Sequence, residues 1–395
     1  MPKKYKVLTL NQISSCGLER LPPEEYIVGP DVNEPDAILV RSQNMHEMDI
    51  PKSVKAIGRA GAGTNNIPVA KMSERGIPVF NAPGANANAV NELVIAGMLM
   101  AARNLIPARD FVISLQGDDA SLHKLVESGK KQFAGSELPH RKLGIIGLGA
   151  IGSLVASSAI KLGMKVLGYD PNITVDAAWR LSSQVVKAQS IEEVLKNSDF
   201  VTLHVPLIDA TRNLINAERV NVMKPGSVLL NFSREGIVDD RAVVEGLNAN
   251  KIKYYVCDFP STTLQNHPRV IALPHLGAST QEAEDNCAIM VAEQVKSYLE
   301  DGNISNAVNF PNVEMARESK HRVGIANSNV PNMLGQISTT MANAGLNIHN
   351  MVNKSKGEMA YTLVDIDSPV TPEVCTAIAA IKGVLMVRAL PLERP

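Results

Sequence analysis

Residues 142–170 read KLGIIGLGAIGSLVASSAIKLGMKVLGYD, and this stretch decides the fold. Its first part, KLGIIGL, is an apolar run of strand character, and IGSLVASSAIKLG behind it reads as a helix. Between them stand Gly147, Gly149 and Gly152 in G-x-G-x-x-G spacing. A second apolar run, KVLGY, ends at Asp170. The glycine pattern alone is weak. A strand before it, a helix after it and an acid closing the next strand make the context of a dinucleotide-binding βαβ unit. Gly147 permits a tight turn, Gly149 lets backbone approach a pyrophosphate, and Gly152 allows the helix to pack close to the strand. Ala150 and Ile151 open the helix, whose free N–H groups and positive dipole end favour phosphate. Asp170 would accept hydrogen bonds from the adenosine ribose and repel a 2′-phosphate, favouring NAD over NADP. The alternative reading is a glycine-rich turn in an α/β protein that binds no nucleotide.

Outward from this stretch the same alternation continues. FVTLHVP, SVLLNFS, YYVCDF and VIALPH follow as strands with helices among them, the pattern of a doubly wound parallel sheet. Upstream, YKVLTL, AILVRS, VKAIGRA and PVFNAP read as a first set of parallel strands, too apolar to have one wet face. A helix expected from Asn88 to Asn104 carries apolar residues over most of its circumference, so burial all round is predicted. STQEAEDNCAIMVAEQVKSYLEDG reads as a long helix with Gly302 at its C-terminal cap. From His321 the order becomes βαββαβ, a ferredoxin-like arrangement.

The chain has 395 residues, 45% of them apolar and 20% charged, enough for two or three globular domains. Its formal charge of −1 offers no global basic field for nucleic acid. The four cysteines, Cys16, Cys257, Cys287 and Cys375, form no CxxC and read as reduced thiols. The start, MPKKYKVLTL, lacks the long apolar segment of a signal peptide, and polar residues interrupt the longest apolar helix. A soluble cytoplasmic protein is therefore expected, with no membrane and no nucleic-acid partner. No HExxH or other ligand-like spacing points to a metal, and no GxSxG to a hydrolase.

Three strand ends carry candidate chemistry. His204, Val205 and Pro206 follow FVTL, Ser233 and Arg234 follow SVLL, and His275 follows VIAL. In an open parallel sheet ligands bind at the carboxyl ends of the strands, so these residues are expected to share one crevice. Arg234 could clamp a substrate carboxylate with two parallel N–H bonds. His275 could give or take a hydroxyl proton near neutrality while hydride moves to or from a nicotinamide. His204 reads as structural, or as a wall of the cofactor pocket.

GLGAIG, Asp170, HVP, NFSREG and PHLGAST, in this order, resemble the D-2-hydroxyacid dehydrogenase family. LVRS, RAGAGTNNI and FNAPGANANAVNEL resemble that family's substrate-domain signatures. The resemblance implies a Rossmann-like NAD-binding domain at 89–275, a discontinuous flavodoxin-like substrate domain at 1–88 and 276–310, and an ACT-like regulatory domain at 317–395. It implies NAD-dependent oxidation of a phosphorylated D-2-hydroxy acid, 3-phospho-D-glycerate, to 3-phosphohydroxypyruvate in serine biosynthesis. Arg234 would bind the carboxylate, His275 would be the acid/base, and Asp258 would hold the nicotinamide carboxamide. Arg41 and Ser42 resemble phosphate contacts, with Arg59, Gly63 and Asn86 as further substrate residues. Asn329 and Asn347 resemble effector contacts of ACT domains that bind an amino acid such as L-serine; the alternative is that this domain only builds an oligomer by pairing sheets or helices between chains. A homodimer or homotetramer is implied.

One family residue is missing. The glutamate that usually pairs with the catalytic histidine falls on Thr262, which cannot be an anion. A threonine hydroxyl could orient the ring, or an acid from elsewhere in the fold could substitute. The alternatives are therefore a dehydrogenase of another D-2-hydroxy acid and a non-catalytic NAD-sensing regulator on the same fold.

Overall fold

The computed structural model of the protein describes residues 4–391. Residues 1–3 and 392–395, the two ends of the expected outer domains, lie outside the described residues. The chain forms two compact units: one from the residues up to Asn86 together with those from Gln281 onward, the other from Ala87 to Thr280.

The first unit opens with β1 (Tyr5–Leu10), β2 (Tyr26–Gly29), β3 (Ala37–Val40), β4 (Ala56–Arg59) and β5 (Val79–Phe80). They make an all-parallel sheet in the order β2-β1-β3-β4-β5, the flavodoxin-like order. The four residues of β3 are fully buried, as a strand covered on both faces should be. The helix Gln281–Asp301 covers this sheet with a stripe of Ala283, Cys287, Ala288, Val291, Val295 and Tyr298. Gly58 is what lets it come close: a β-carbon there would lie 2.6 Å from Val291. The helix stops at Gly302, whose φ of +74° suits glycine.

The second unit holds β6 (Lys142–Ile146), β7 (Lys165–Tyr169), β8 (Val185–Lys187), β9 (Phe200–Leu203), β10 (Ser227–Asn231), β11 (Ile252–Cys257) and β12 (Val270–Ala272). Their order, β12-β11-β10-β9-β6-β7-β8, is doubly wound and reverses direction between β6 and β9. Two apolar clusters, one on each face, bury the central strands. The helix Ala87–Ala102 differs from expectation: a single stripe of Val90, Val94, Met98 and Ala101 is buried, whereas Glu92 and Leu99 are exposed. Among the described residues no single helix is long and apolar enough to cross a membrane.

The C-terminal part of the first unit is antiparallel: β13 (His321–Ser328), β14 (Ile348–Lys356), β15 (Met359–Ile366) and β16 (Val384–Pro391), in the order β14-β15-β13-β16. With helices Met333–Asn343 and Pro372–Ala379 this is the βαββαβ ferredoxin-like fold. Arg322 and Asp365, both fully buried, form an ion pair across β13 and β15. The same guanidinium also donates to the carbonyls of Asp301, Met315 and Ala316.

Candidate active site

The glycine loop sits at the switch point of the seven-stranded sheet. Gly147 has φ of +94°, and a β-carbon there would lie 2.3 Å from the His204 carbonyl oxygen, so the turn after β6 lies against the end of β9. Gly152 is tighter still, with a β-carbon position 2.0 Å from the Gly147 oxygen. Gly149, in contrast, has nothing within 4 Å of that position. It caps the helix Ala150–Lys161 without any side-chain hydrogen bond, so the first-turn N–H groups are left for a ligand. Asp170 accepts from the N–H of Leu148 at 2.8 Å and of Asn172 at 3.0 Å, which ties the acid to the loop. This cradle fits a dinucleotide pyrophosphate.

His204, Val205 and Pro206 continue β9. The His204 ring bonds Thr202 Oγ1 at 3.0 Å through Nε2, while its buried Nδ1 has no partner. Burial pushes its pKa down to about 3, so the ring is neutral at ordinary pH and is no proton carrier. Beside it, the turn after β10 is braced by Asn231, which donates to the Arg234 carbonyl at 3.0 Å and accepts from Ser233 N–H at 3.1 Å. The Ser233 hydroxyl donates to the Leu203 carbonyl, joining that turn to β9. The Arg234 side chain is exposed and donates to the neighbouring Ser233 carbonyl at 2.7 Å.

Asp258 follows β11 and His275 follows β12, and these strands pair in parallel with Cys257 opposite Ala272. The His275 ring packs on the Phe259 ring, centroids 4.9 Å apart and planes inclined by 55°. Asp258 is 1% exposed, and neither carboxylate oxygen has a hydrogen-bond partner. Burial pushes its pKa above the ordinary carboxylate value, while the charges of His275 and Arg234 and the nearby Gly277 N–H push it back. The Gly277 N–H lies close enough to favour the anion yet outside hydrogen-bond geometry. Arg234, Asp258 and His275 thus follow the carboxyl ends of the adjacent strands β10, β11 and β12. Thr262 and Thr263 are exposed on the loop beyond Asp258.

In the first unit Arg41 and Arg59 end adjacent strands, Val40 lying opposite Arg59. Arg59 Nε donates to the Arg41 carbonyl at 3.1 Å, and the Arg41 guanidinium forms an ion pair with Glu284 on the helix Gln281–Asp301. Ser42 is exposed, with its N–H on Asn11 Oδ1 at 3.2 Å, while Gly63 and Asn86 are half-buried in loops. Among the effector candidates, Asn329 donates to the Gly357 carbonyl at 3.1 Å, and Asn347 hydrogen-bonds Asp367. Sequence reasoning did not find two partners, Phe259 beneath His275 and Glu284 on Arg41. Neither contact leaves a local pattern. Among the described residues no group of three or more His, Cys, Asp or Glu side chains could hold a metal ion.

The model of the D-isomer-specific 2-hydroxyacid dehydrogenase family, NAD-binding domain, matches residues 95–277. The chain is 36% identical over 347 residues to the D-3-phosphoglycerate dehydrogenase of Methanocaldococcus jannaschii, covering 85% of this chain and 62% of that one. It is 34% identical over 349 residues to the D-3-phosphoglycerate dehydrogenase of Escherichia coli, covering 85% and 81%. Among solved structures, the NAD+-bound 3-phosphoglycerate dehydrogenase of Entamoeba histolytica has a TM-score of 0.59 at 25% identity over 78% of this chain and 99% of that one. D-2-hydroxyisocaproate dehydrogenase has a TM-score of 0.63 at 21% identity over 77% and 99%, a likeness of fold. The chain belongs to the D-isomer-specific 2-hydroxyacid dehydrogenases, and its glycine-loop unit is their NAD-binding domain. The Methanocaldococcus and Escherichia relatives are D-3-phosphoglycerate dehydrogenases, and the chain spans 62% of the length of the Methanocaldococcus protein.

Proposed function

We propose that the chain oxidises 3-phospho-D-glycerate at C2 to 3-phosphohydroxypyruvate with NAD, the first step of serine biosynthesis. One observation carries this reading: an exposed guanidinium, Arg234, and an exposed imidazole, His275, stand after β10 and β12, the strands on either side of β11 in the sheet that carries the glycine loop. Arg234 holds the substrate carboxylate and the C2 oxygen. His275 takes the C2 hydroxyl proton as the C–H bond breaks, and returns it to the keto oxygen in the reverse direction. Bound NAD supplies the hydride acceptor. Gly147, Gly149 and Gly152 admit its pyrophosphate, with Ala150 and Ile151 at the helix start. Asp170 takes its ribose, His204, Val205, Pro206 and Ser233 wall the pocket, and Asp258 accepts from the carboxamide. Arg41 and Ser42 take the substrate phosphate, supported by Arg59, Gly63 and Asn86.

A second reading, another D-2-hydroxy acid, is favoured by the Arg41–Glu284 ion pair, which offsets the charge meant for phosphate. Oxidation of NADH by the purified protein with phosphohydroxypyruvate and a panel of unphosphorylated 2-keto acids separates the two. A kcat/KM highest for phosphohydroxypyruvate supports the first reading. A higher value for an unphosphorylated acid replaces it with the second. An L-serine effector at Asn329 and Asn347 and a homodimer or homotetramer complete the proposal. Calorimetric titration of the full chain with L-serine and light scattering test these two points.

A further inference from the structure

We propose that Glu284 is a specificity-determining residue, one that makes this chain discriminate among 2-keto acids by the charge of their distal group. The inference rests on the reading of Arg41 as the residue that takes that group. Its basis is a cluster of side chains in the first unit. Arg41 follows β3 and Arg59 ends β4, with Val40 opposite Arg59. The Arg41 carbonyl accepts from Arg59 Nε at 3.1 Å and from Asn66 Nδ2 at 3.3 Å, so the backbone at this strand end is held from two sides. The Arg59 guanidinium lies over Gly61, where a β-carbon would collide with Nη1.

Glu284 stands in the first turn of the helix Gln281–Asp301 and pairs with Arg41 Nη2. Its acidic neighbours are placed elsewhere. Asp285 accepts from the Ser14 hydroxyl and from Gln281 Nε2, and Glu282 is exposed. Cys287, on the same helix and 3% exposed, senses the whole cluster. Burial pushes its thiol pKa up, the charges of Arg59 and Arg41 draw it down, and Glu284 raises it again. Two guanidiniums and one carboxylate thus share the ends of β3 and β4. The pair is open to a ligand, since the side chains of Arg41 and Glu284 are 38% and 34% exposed.

An anionic distal group reaches Arg41 only by displacing Glu284. Breaking the ion pair costs the same for every group that uses the guanidinium. The displaced carboxylate stays close and repels the newcomer in proportion to its charge. A phosphoryl group, with a charge of about −1.5 to −2 near pH 7, is opposed most. A sulfonate of similar shape is opposed less, and a neutral hydroxyl hardly at all. Glu284 therefore narrows the preference for phosphorylated acids, a repulsive element set beside an attractive one.

The test measures KM for hydroxypyruvate, sulfopyruvate and phosphohydroxypyruvate with the native chain and with Glu284→Gln. The expected result is a graded fall in KM, about fivefold for the phosphorylated acid, about twofold for the sulfonate and less for hydroxypyruvate. Glu284→Ala repeats the series where the glutamine amide takes over the contact to Arg41. In an Arg41→Ala background the graded fall should shrink, because no ion pair is left to break. An equal change for all three acids, or a raised KM for phosphohydroxypyruvate, overturns the role of Glu284 while Arg41→Ala still weakens the phosphorylated acid. A native KM for phosphohydroxypyruvate in Arg41→Ala, or no reduction of that acid by the native chain, instead removes the reading of Arg41 beneath it.

Discussion

A β-carbon on Gly152 would sit 2.0 Å from the carbonyl oxygen of Gly147, inside the backbone of the same loop. No side-chain rotation relieves that contact, so Gly152→Ala should destabilise the chain by about 1–3 kcal/mol through overpacking. Gly149→Ala meets nothing within 4 Å. It should leave the thermal midpoint close to native and weaken NADH binding, because the added methyl stands where backbone must approach pyrophosphate. Scanning calorimetry and NADH fluorescence on the two variants separate fold from cofactor. Equal effects of both substitutions on stability would refute the distinction.

Arg234 is held only lightly, through one bond to the carbonyl beside it. Its fork is therefore available for a planar carboxylate. Arg234→Lys keeps the charge and loses the paired geometry, so kcat/KM for the keto acid should fall about a hundredfold while NADH affinity is retained. A variant with native kcat/KM would remove Arg234 from the substrate.

Arg41 and Glu284 are each about one-third exposed, and their ion pair competes with any phosphate brought to that guanidinium. Arg41→Ala should raise KM for phosphohydroxypyruvate by about tenfold or more and leave unphosphorylated acids little changed, since one charge-assisted bond is lost. Glu284→Gln frees the guanidinium and should lower the same KM. A raised KM in Glu284→Gln would mean that the carboxylate serves to aim Arg41 rather than to oppose the phosphate.

His204 links stability to acid. The folded chain keeps this ring neutral down to about pH 3, whereas the unfolded chain protonates it near an ordinary histidine value of about 6.5. Its contribution is thus complete above about pH 6.5 and is lost as the pH falls towards the folded value, with a slope approaching about 1.4 kcal/mol per pH unit. Urea unfolding of His204→Gln between about pH 4 and about pH 6 should show a shallower decline than the native chain. An unchanged slope would place the acid sensitivity elsewhere.

The sequence displayed what is encoded locally. β6, β9 and β10 are buried apolar runs, and the glycine loop carries its spacing on its face. The short strands β2 and β8 were missed because four and three residues with partly exposed side chains leave little periodic signal. The helices Leu105–Ser114 and Asp119–Gly129 were also missed, and neither has a buried residue from which a core-facing stripe could be read. The site was legible in its residue types but not in its pairings. DFPSTTL shows that a glutamate is absent. That Phe259 lies against His275 follows only from the pairing of β11 with β12.

The buried guanidinium of Arg322 sets where this chain can be divided. Three of its carbonyl acceptors, on Asp301, Met315 and Ala316, precede the antiparallel sheet, while its carboxylate partner lies within it. A cut placed just before His321 would strand a buried cation from three of its four hydrogen-bonding neighbours. Chimeras that exchange the C-terminal sheet between relatives should therefore carry the tail of the preceding helix with it, and the effective module is longer than the βαββαβ motif alone.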